Sequence, residues 1–381
     1  MTVKGGRELT LRVLDSVHEL PAERWDALVG DDGSPFVEHE WLAALEDTGC
    51  VGEGTGWVPA HLSLWRGDAL VAVAPAYAKG HGEGEFVFDG AWAEAAERMG
   101  VRYYPKLVVA VPFTPATGDR VLVVPGEDRA RAMGLVADAA RAFCLRAGAS
   151  GVHLLFPRDA EAEAWEATGY PRRDGAQYHY LRDGATTFEE YLERFDSKGR
   201  NQIRRELRRV AEQGIRVETL APEGHTPEVA RAMYGFYAST VDRHGPWGRR
   251  YLNEAFFERV AERFRHRLAW VVARDTGGRP VGGAFNAWKG RRMYGRYWGA
   301  SIEVPNLHFV ICYYEGIRAC IERGLDVFEG GAGRDEHKRS RGFRAAPTRS
   351  AHWVADARLW AALGPWLAHE RARVQALLTE P

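Results

Sequence analysis

The 381-residue chain carries 51 basic against 52 acidic residues, with 45% hydrophobic and 27% charged positions. Those proportions belong to an ordinary water-soluble globular protein, and the balanced charge excludes the global polycation that announces a nucleic-acid binder. The length points to two domains, the N-terminus has no apolar signal core, and no apolar run approaches the ~18 residues of a membrane span.

In chain order, Leu9 to Leu14 reads as a strand, and Ser34-Pro35-Phe36 leads into a helix from His39 to Asp47 with Trp41, Leu42 and Leu45 on one face. The glycine-rich run Gly49 to Gly56 has no GKT/GKS ending and does not fit GxGxxG, so a loop is expected. Ala60 to Trp65 and Leu70 to Ala78 predict a hairpin across Arg66-Gly67-Asp68. Phe86 to Phe88 predicts another strand, Ala91 to Met99 a helix, and Leu107 to Val111 and Val121 to Val124 two further strands. A helix over Asp128 to Ala147, a strand over Gly151 to Phe156, a helix over Ala160 to Thr168 and a strand over Gln177 to Arg182 complete an α/β half.

A second half starts at Thr187 and Glu190, which are spaced as a capping box. After a short helix to Phe195 comes a basic helix ending at Gly214, a strand from Ile215 to Leu220, helices over Pro227 to Arg243 and Asn253 to Arg263, and a strand from Leu268 to Arg274. Pro280 to Trp288 and Arg292 to Ala300 form a hairpin. Leu307, Val310, Ile311, Tyr314, Ile317 and Ile321 then fall at helical spacing, Gly324 suits a helix C-terminus, and Leu325 to Glu329 resumes as a strand. This β-α-β unit requires parallel strands, and ligands favour the C-terminal end of its first strand. A basic loop through Arg344 and a helix from Trp360 to Leu378 close the chain. The expected architecture is α/β with mixed sheets, in two domains over residues 1–184 and 185–381.

The second half resembles the Fem-type members of the GNAT N-acyltransferase superfamily. The matching stretches are SKGRNQIRRELRRVAEQGIRV, FYASTVDRHGPWGRRYLNEAFFERV, RPVGGAFNAW and HFVICYYEGIRACIERGLDVFEGGA followed by HKRSRGF. Over residues 30 to 360 the chain is similar to the FemAB-like family of peptidoglycan biosynthesis or recognition proteins, through SPFVEHEWLAALEDTG, YYPKLVVAVPFTPATGDR, GRYWGASIEVPNLHFVICYY and EHKRSRGFRAAPTRSAHW. The resemblance implies two tandem GNAT-like acyltransferase units. It also implies acyl or aminoacyl transfer to an amine, on a small molecule or peptidoglycan precursor. Recognition of such a precursor without catalysis, and acyl transfer in a specialised-metabolite pathway, are the alternatives.

Lys198, Arg200, Arg204 and Arg205 open the basic helix, and Arg200, Arg204 and Arg208 share a face by four-residue spacing. Forked guanidinium groups of this kind bind phosphates, so the helix is a candidate for a nucleotide-bearing ligand; a solvated surface helix is the alternative. GNAT enzymes that use acyl-CoA carry Q/R-x-x-G-x-G/A after the strand of Tyr297. Here Arg296, Gly299 and Ser301 give a degenerate match, with Glu303 and Pro305 adding charge and removing a donor. The donor is therefore left between aminoacyl-tRNA and acyl-CoA, with no tightly bound cofactor.

Amide formation needs a group that takes a proton from the amine and donors for the oxyanion. His308, in the first turn of the central helix, and Glu329, at the end of the second strand, are the candidate catalytic groups, with His337 from the loop that matches EHKxxRGF. Lys338 and Arg341 from that loop, Tyr297, Lys106 beside Tyr104, Gln177 near the domain junction, and Asp242, Arg243 and His244 by family analogy are candidate substrate contacts. No GxSxG, HExxH, EF-hand or Walker A pattern is present, and no metal site is expected. Cys50, Cys144, Cys312 and Cys320 show no CxxC pairing and read as reduced thiols of a cytoplasmic protein.

Overall fold

The computed structural model describes the backbone of residues 2–3 and residues 9–243, 245, 248–333 and 336–379. His244 lies outside the described residues. The chain divides into two compact units, Met1–Ala176 with Pro347–Pro381, and Gln177–Ala346. The expected division at 184/185 differs, because the C-terminal segment folds with the first unit.

In unit 1 the strands are β1 (Leu9–Leu14), β2 (Trp57–Pro59), β3 (His61–Arg66), β4 (Ala69–Ala74), β5 (Ala76–Lys79), β6 (Lys106–Val109), β7 (Leu122–Val123) and β8 (Gly151–Leu155). Antiparallel pairing links β1 to β3, β3 to β4 and β4 to β7. A second set pairs β2 with β5 and β5 with β6 antiparallel, and β6 with β8 in parallel. The expected single strand from Leu70 to Ala78 is divided at Pro75, which cannot donate a ladder hydrogen bond. The expected strand at Phe86 to Phe88 does not form: Gly84 and Phe86 have φ of 81° and 60°, incompatible with an extended run.

The helix Arg129–Ala147 is capped by the Asp128 side chain and ends at left-handed Gly148. Its Met133, Val136, Ala137 and Ala140 pack into a core with Leu62, Leu64, Leu107, Val152 and Leu154. The C-terminal helix, Ala357–Thr379, buries Leu359, Leu363 and Leu367 at intervals of four against Trp92 and Tyr103. Each such leucine stabilises unit 1 by about 1.5–3 kcal/mol through removal from water.

Strand β9 (Arg172–Leu181) carries the chain into unit 2, whose other strands are β10 (Arg216–Thr219), β11 (Val271–Arg274), β12 (Pro280–Lys289), β13 (Arg292–Ala300) and β14 (Val327–Glu329). Their order in the sheet is β10-β11-β12-β13-β14-β9, antiparallel throughout except for the parallel pair β13–β14. That parallel pair is the expected β-α-β unit. The helix between, residues 307–322, is not uniformly α: Val310–Tyr314 is a π segment. Its apolar face, with Ile311, Tyr314, Ile317 and Ile321, packs on Val281, Ala284, Met293 and Phe328.

The helix Pro227–Arg243 lies against β12 and β13 at unusually close range. A Cβ on Gly299 would sit 1.9 Å from the Phe236 carbonyl oxygen, and one on Gly283 would sit 2.5 Å from Met233 Sδ. Only glycine permits that approach. One further strand, β15 (Phe343–Val354), covers the end of the expected basic loop and a stretch after Arg344 to which the sequence assigned no element. Its C-terminal part pairs with β8 from Ser350 opposite Leu155 to Val354 opposite Gly151.

Candidate functional site in unit 2

Strands β13 and β14 pair for three residues, ending at Tyr294 opposite Glu329. Beyond that point β13 continues while the chain turns away through Gly330, Gly331 and Gly333. The opening between them forms a cavity of about 280 Å3. It is lined from β13 by Gly295 to Trp298, from β12 by Asn286, from the 307–322 helix by His308, Cys312 and Tyr313, and from below by Phe328, the glycines and Lys338.

Two local irregularities shape this wall. The β12–β13 register shifts so that Phe285 faces Tyr297 while Asn286 faces Gly295, leaving Arg296 as an extra residue in β13. Such bulges bend a strand and redirect its side chains. Across the cavity, the π segment re-aims Cys312 and Tyr313 where a regular helix would have placed neighbouring side chains.

His308 packs against Trp298 at 4.2 Å between ring centroids, tilted by 36°, and lies 5.3 Å from the Tyr313 ring. Arg243, on the far end of the Pro227–Arg243 helix, holds its guanidinium 5.7 Å from the Trp298 ring centroid. Lys338 is 4% exposed, and its Nζ donates to the Gly331 carbonyl at 2.9 Å. The left-handed φ of Gly331, 76°, and the 3.0 Å approach of its would-be Cβ to the Gly295 carbonyl oxygen exclude a larger residue there. Burial pushes the Cys312 thiol well above its ordinary value, with Lys338 opposing, so this sulfur stays protonated at neutral pH.

The structure thus brings together His308, Tyr297 and Lys338 of the expected residues. Glu329 is not with them. It is 2% exposed and follows Phe328, so by strand alternation it points to the opposite face, where Oε1 accepts from Arg292 at 3.2 Å and Oε2 lies 3.9 Å from His179 Nε2. His337 is exposed on the short helix Glu336–Arg339, with its ring 5.2 Å from Phe309, and does not line the cavity.

Arg341 is buried rather than presented to substrate. Its Nη2 donates to both Glu206 oxygens at 2.7 and 2.9 Å, Tyr314 Oη donates to the same carboxylate, and the guanidinium sits 3.5 Å over the Phe309 ring. Its Nη1 donates to the His337 carbonyl at 3.0 Å, so this cluster fixes the turn that carries Lys338. Glu206 is the one acid between Lys198 and Arg209 in the basic helix Ser197–Glu212, which turns Ile203, Glu206 and Val210 inward. Lys198, Arg204 and Arg205 of that helix are exposed, with Arg204 paired to Glu189 at 2.7 Å, and Arg200 donates to the Phe195 carbonyl at 2.6 Å. None of the four lines the cavity.

Asp242 is paired with Arg250 at 2.9 Å, and Gln177 is buried at the start of the unit 2 part of β9. In unit 1, Lys106 is 0% exposed, donates to Glu85 at 2.8 Å and to Asp89, and lies 5.6 Å from the Tyr104 ring centroid. An ammonium so enclosed is an internal ion-pair partner, which corrects its assignment as a substrate contact. The degenerate CoA pattern begins inside the expected strand: Arg296 to Ala300 is the end of β13, Gly299 is used for packing against Phe236, and the Ser301 amide donates to the Val281 carbonyl at 2.9 Å.

Asn286, Cys312 and Tyr313 are cavity residues that were not among the expected site residues, and Arg296 was noted only within the degenerate CoA pattern. For Asn286 a signal exists, since asparagine is disfavoured inside strands and this one interrupts an apolar run between Phe285 and Ala287. Among the described residues no cluster of His, Cys, Asp and Glu is placed to hold a metal, and no helix is long and apolar enough to cross a membrane.

The sequence pattern of the FemAB-like family, peptidoglycan biosynthesis/recognition, matches residues 16–380. No curated protein matches the chain. Among solved structures, FemX is similar with a TM-score of 0.56 at 14% identity, over 90% of this chain and 98% of that one. The C-terminal domain of a putative lysylphosphatidylglycerol synthetase from Agrobacterium fabrum is similar with a TM-score of 0.55 at 14% identity, over 93% of this chain and 96% of that one. At such identities the likeness concerns the fold, and the fold is the expected mixed α/β arrangement.

Proposed function

The chain belongs to the FemAB-like family, and from that premise we propose that it is an acyltransferase forming an amide on an amine acceptor in the cavity of unit 2. The observation that carries the reading is the cavity where β13 and β14 separate, furnished with an imidazole, an ammonium and an amide among aromatic walls. The amine nitrogen attacks the ester or thioester carbonyl, a C–N bond forms, and the C–O or C–S bond to the carrier breaks. His308 accepts the proton lost by the nitrogen and returns it to a leaving oxygen, or releases it to water when a sulfur leaves as thiolate. Lys338 places positive charge beside the developing oxyanion.

The family description supports a peptidoglycan precursor as acceptor, and the reading takes the cytoplasm as the compartment of the reaction. The donor is aminoacyl-tRNA or acyl-CoA. The exposed cations of the Ser197–Glu212 helix offer charge to the phosphates of either carrier, and the strand-bound Arg296 to Ser301 stretch lacks the open amide loop of a CoA site. Intact-mass measurement of a UDP-linked peptidoglycan precursor bearing a free amine, incubated with the protein and either charged tRNA or acyl-CoA, tests this. An acyl increment in one arm is the expected result. No increment in either arm leaves the cavity as a recognition site and overturns the transfer reading.

A further inference from the structure

We propose that Asn286 holds the carbonyl oxygen of the transferred acyl group, its side-chain amide serving as an oxyanion donor. The proposal deepens the transfer reading and rests on it for the identity of the group held. Three observations carry it. Asn286 is 2% exposed, at the point where the β12–β13 register shifts, and it lines the cavity. Its Nδ2 is buried with no hydrogen-bond partner among the described residues, while its Oδ1 lies against Gly295, close enough that a Cβ there would be 3.4 Å away. The side chain is therefore fixed with its acceptor toward β13 and its donor unused.

A buried amide donor without a partner costs stability, and native chains keep few such groups. One that lines a cavity is satisfied when an acceptor atom enters. The rest of the described lining narrows the acceptor. Lys338 and Arg296 are cationic, His308 is an imidazole, and no carboxylate side chain is among them. Such a wall matches a neutral or negatively charged oxygen. The oxygen that gains charge in acyl transfer is the acyl carbonyl, and a preset donor in a site shielded from water is worth most at that moment.

The test uses the full chain with Asn286→Leu, which keeps the volume and removes the amide, and Asn286→Asp, which replaces the donor by a charge. With the donor that is active in the wild type, Asn286→Leu lowers kcat by about 10²–10³-fold while the acceptor KM stays unchanged. Asn286→Asp loses as much or more, through repulsion of the oxyanion. The melting temperature of Asn286→Leu does not fall, because the amide it removes had no partner. A fall of several degrees, or wild-type kcat in Asn286→Leu, overturns the proposal.

If the wild type transfers nothing, the transfer reading fails and the donor role is read separately. The Asn286 side-chain amide resonances, assigned by their loss in Asn286→Leu, are followed while N-methylacetamide is titrated as a carbonyl probe. A downfield shift confined to the cavity supports Asn286 as a carbonyl donor. The absence of a shift overturns it.

Discussion

At the residue scale, the sharpest dependence lies in the pairs that water cannot reach. Arg341 and Glu206 are both buried and joined by two hydrogen bonds, so removing one partner leaves the other charged and unmatched. Glu206→Ala is expected to destabilise unit 2 by about 3–5 kcal/mol in urea unfolding. Arg341 also holds the His337 carbonyl, so the same variant loosens the Lys338 turn and lowers transfer in any surviving folded protein.

The histidine pair of unit 1 gives a pH dependence. Ser350 Oγ donates to the Arg173 carbonyl, so it accepts from His352 Nε2, which makes His352 Nδ1 the acceptor of His153 Nδ1–H at 2.8 Å. Both rings are neutral in this network. Burial pushes both well below the ordinary histidine value, reinforced by the nearby Lys106 and Arg173 and, for His352, by His153. The unfolded chain binds a proton per ring below about pH 6.5 and the folded chain does not, so this contribution is full above that pH and lost on acidification. Glu85, pushed up to about 7 by burial, acts oppositely between its folded and unfolded values. The informative quantity is therefore a difference: the unfolding free energy of His352→Gln from urea titration should fall less steeply than that of the wild type between about pH 6.5 and pH 5, by up to about 1.4 kcal/mol per pH unit. Parallel profiles would contradict the neutral pair.

Residue identity was only partly legible in the sequence. His308 and Tyr297 lie on a helix and a strand whose positions periodicity fixes, and Lys338 was named from the loop that matches EHKxxRGF; all three line the cavity. Glu329 was misjudged by one residue of strand alternation, and Arg341 because nothing in a basic string announces the distant Glu206 that neutralises it. Asn286 and Arg296 become cavity residues through a bulge that no side-chain pattern encodes.

At the scale of elements, the β-α-β unit from Arg292 to Glu329 was read almost to its ends, because aromatic strands and a long apolar helical stripe give strong periods. Strand β15 was missed for the opposite reason. Phe343 to Val354 contains Pro347, Arg344, Arg349 and several small residues, and it is a strand by virtue of partners such as β8. The early part of β9 was hidden likewise, since Arg173 and Asp174 are buried by ion pairs with Glu370 and with Arg172 and Arg349. The contact of the Pro227–Arg243 helix with β13 depends on Gly299. Gly299→Ala is expected to cost about 1–3 kcal/mol by overpacking, visible as a lower melting temperature, because the obstacle is the Phe236 backbone and not a movable side chain. An unchanged melting temperature would show that the helix can retreat freely.

At the scale of the whole molecule, the division into units makes the C-terminus part of the first. Ending the chain after Ala355 removes Leu359, Leu363 and Leu367 from the cluster around Trp92 and Tyr103. Unit 1 of that variant should be cleaved by protease under conditions that leave the full chain intact, with cut sites concentrated near the Gly90–Arg98 helix. Resistance equal to the full chain would mean that this helix contributes little to the core. Two units with the fold of FemX, one of them opening a polar cavity between parallel strands, form the frame on which the family membership rests its function.

The most direct measurement is the intact mass of an amine-bearing UDP-linked peptidoglycan precursor after incubation with wild type or His308→Gln, in separate charged-tRNA and acyl-CoA arms. The account predicts an acyl increment in one arm with the wild type, formed about 10²–10⁴-fold more slowly by His308→Gln at an unchanged melting temperature. No increment in either arm, or equal rates for the two proteins, would contradict it.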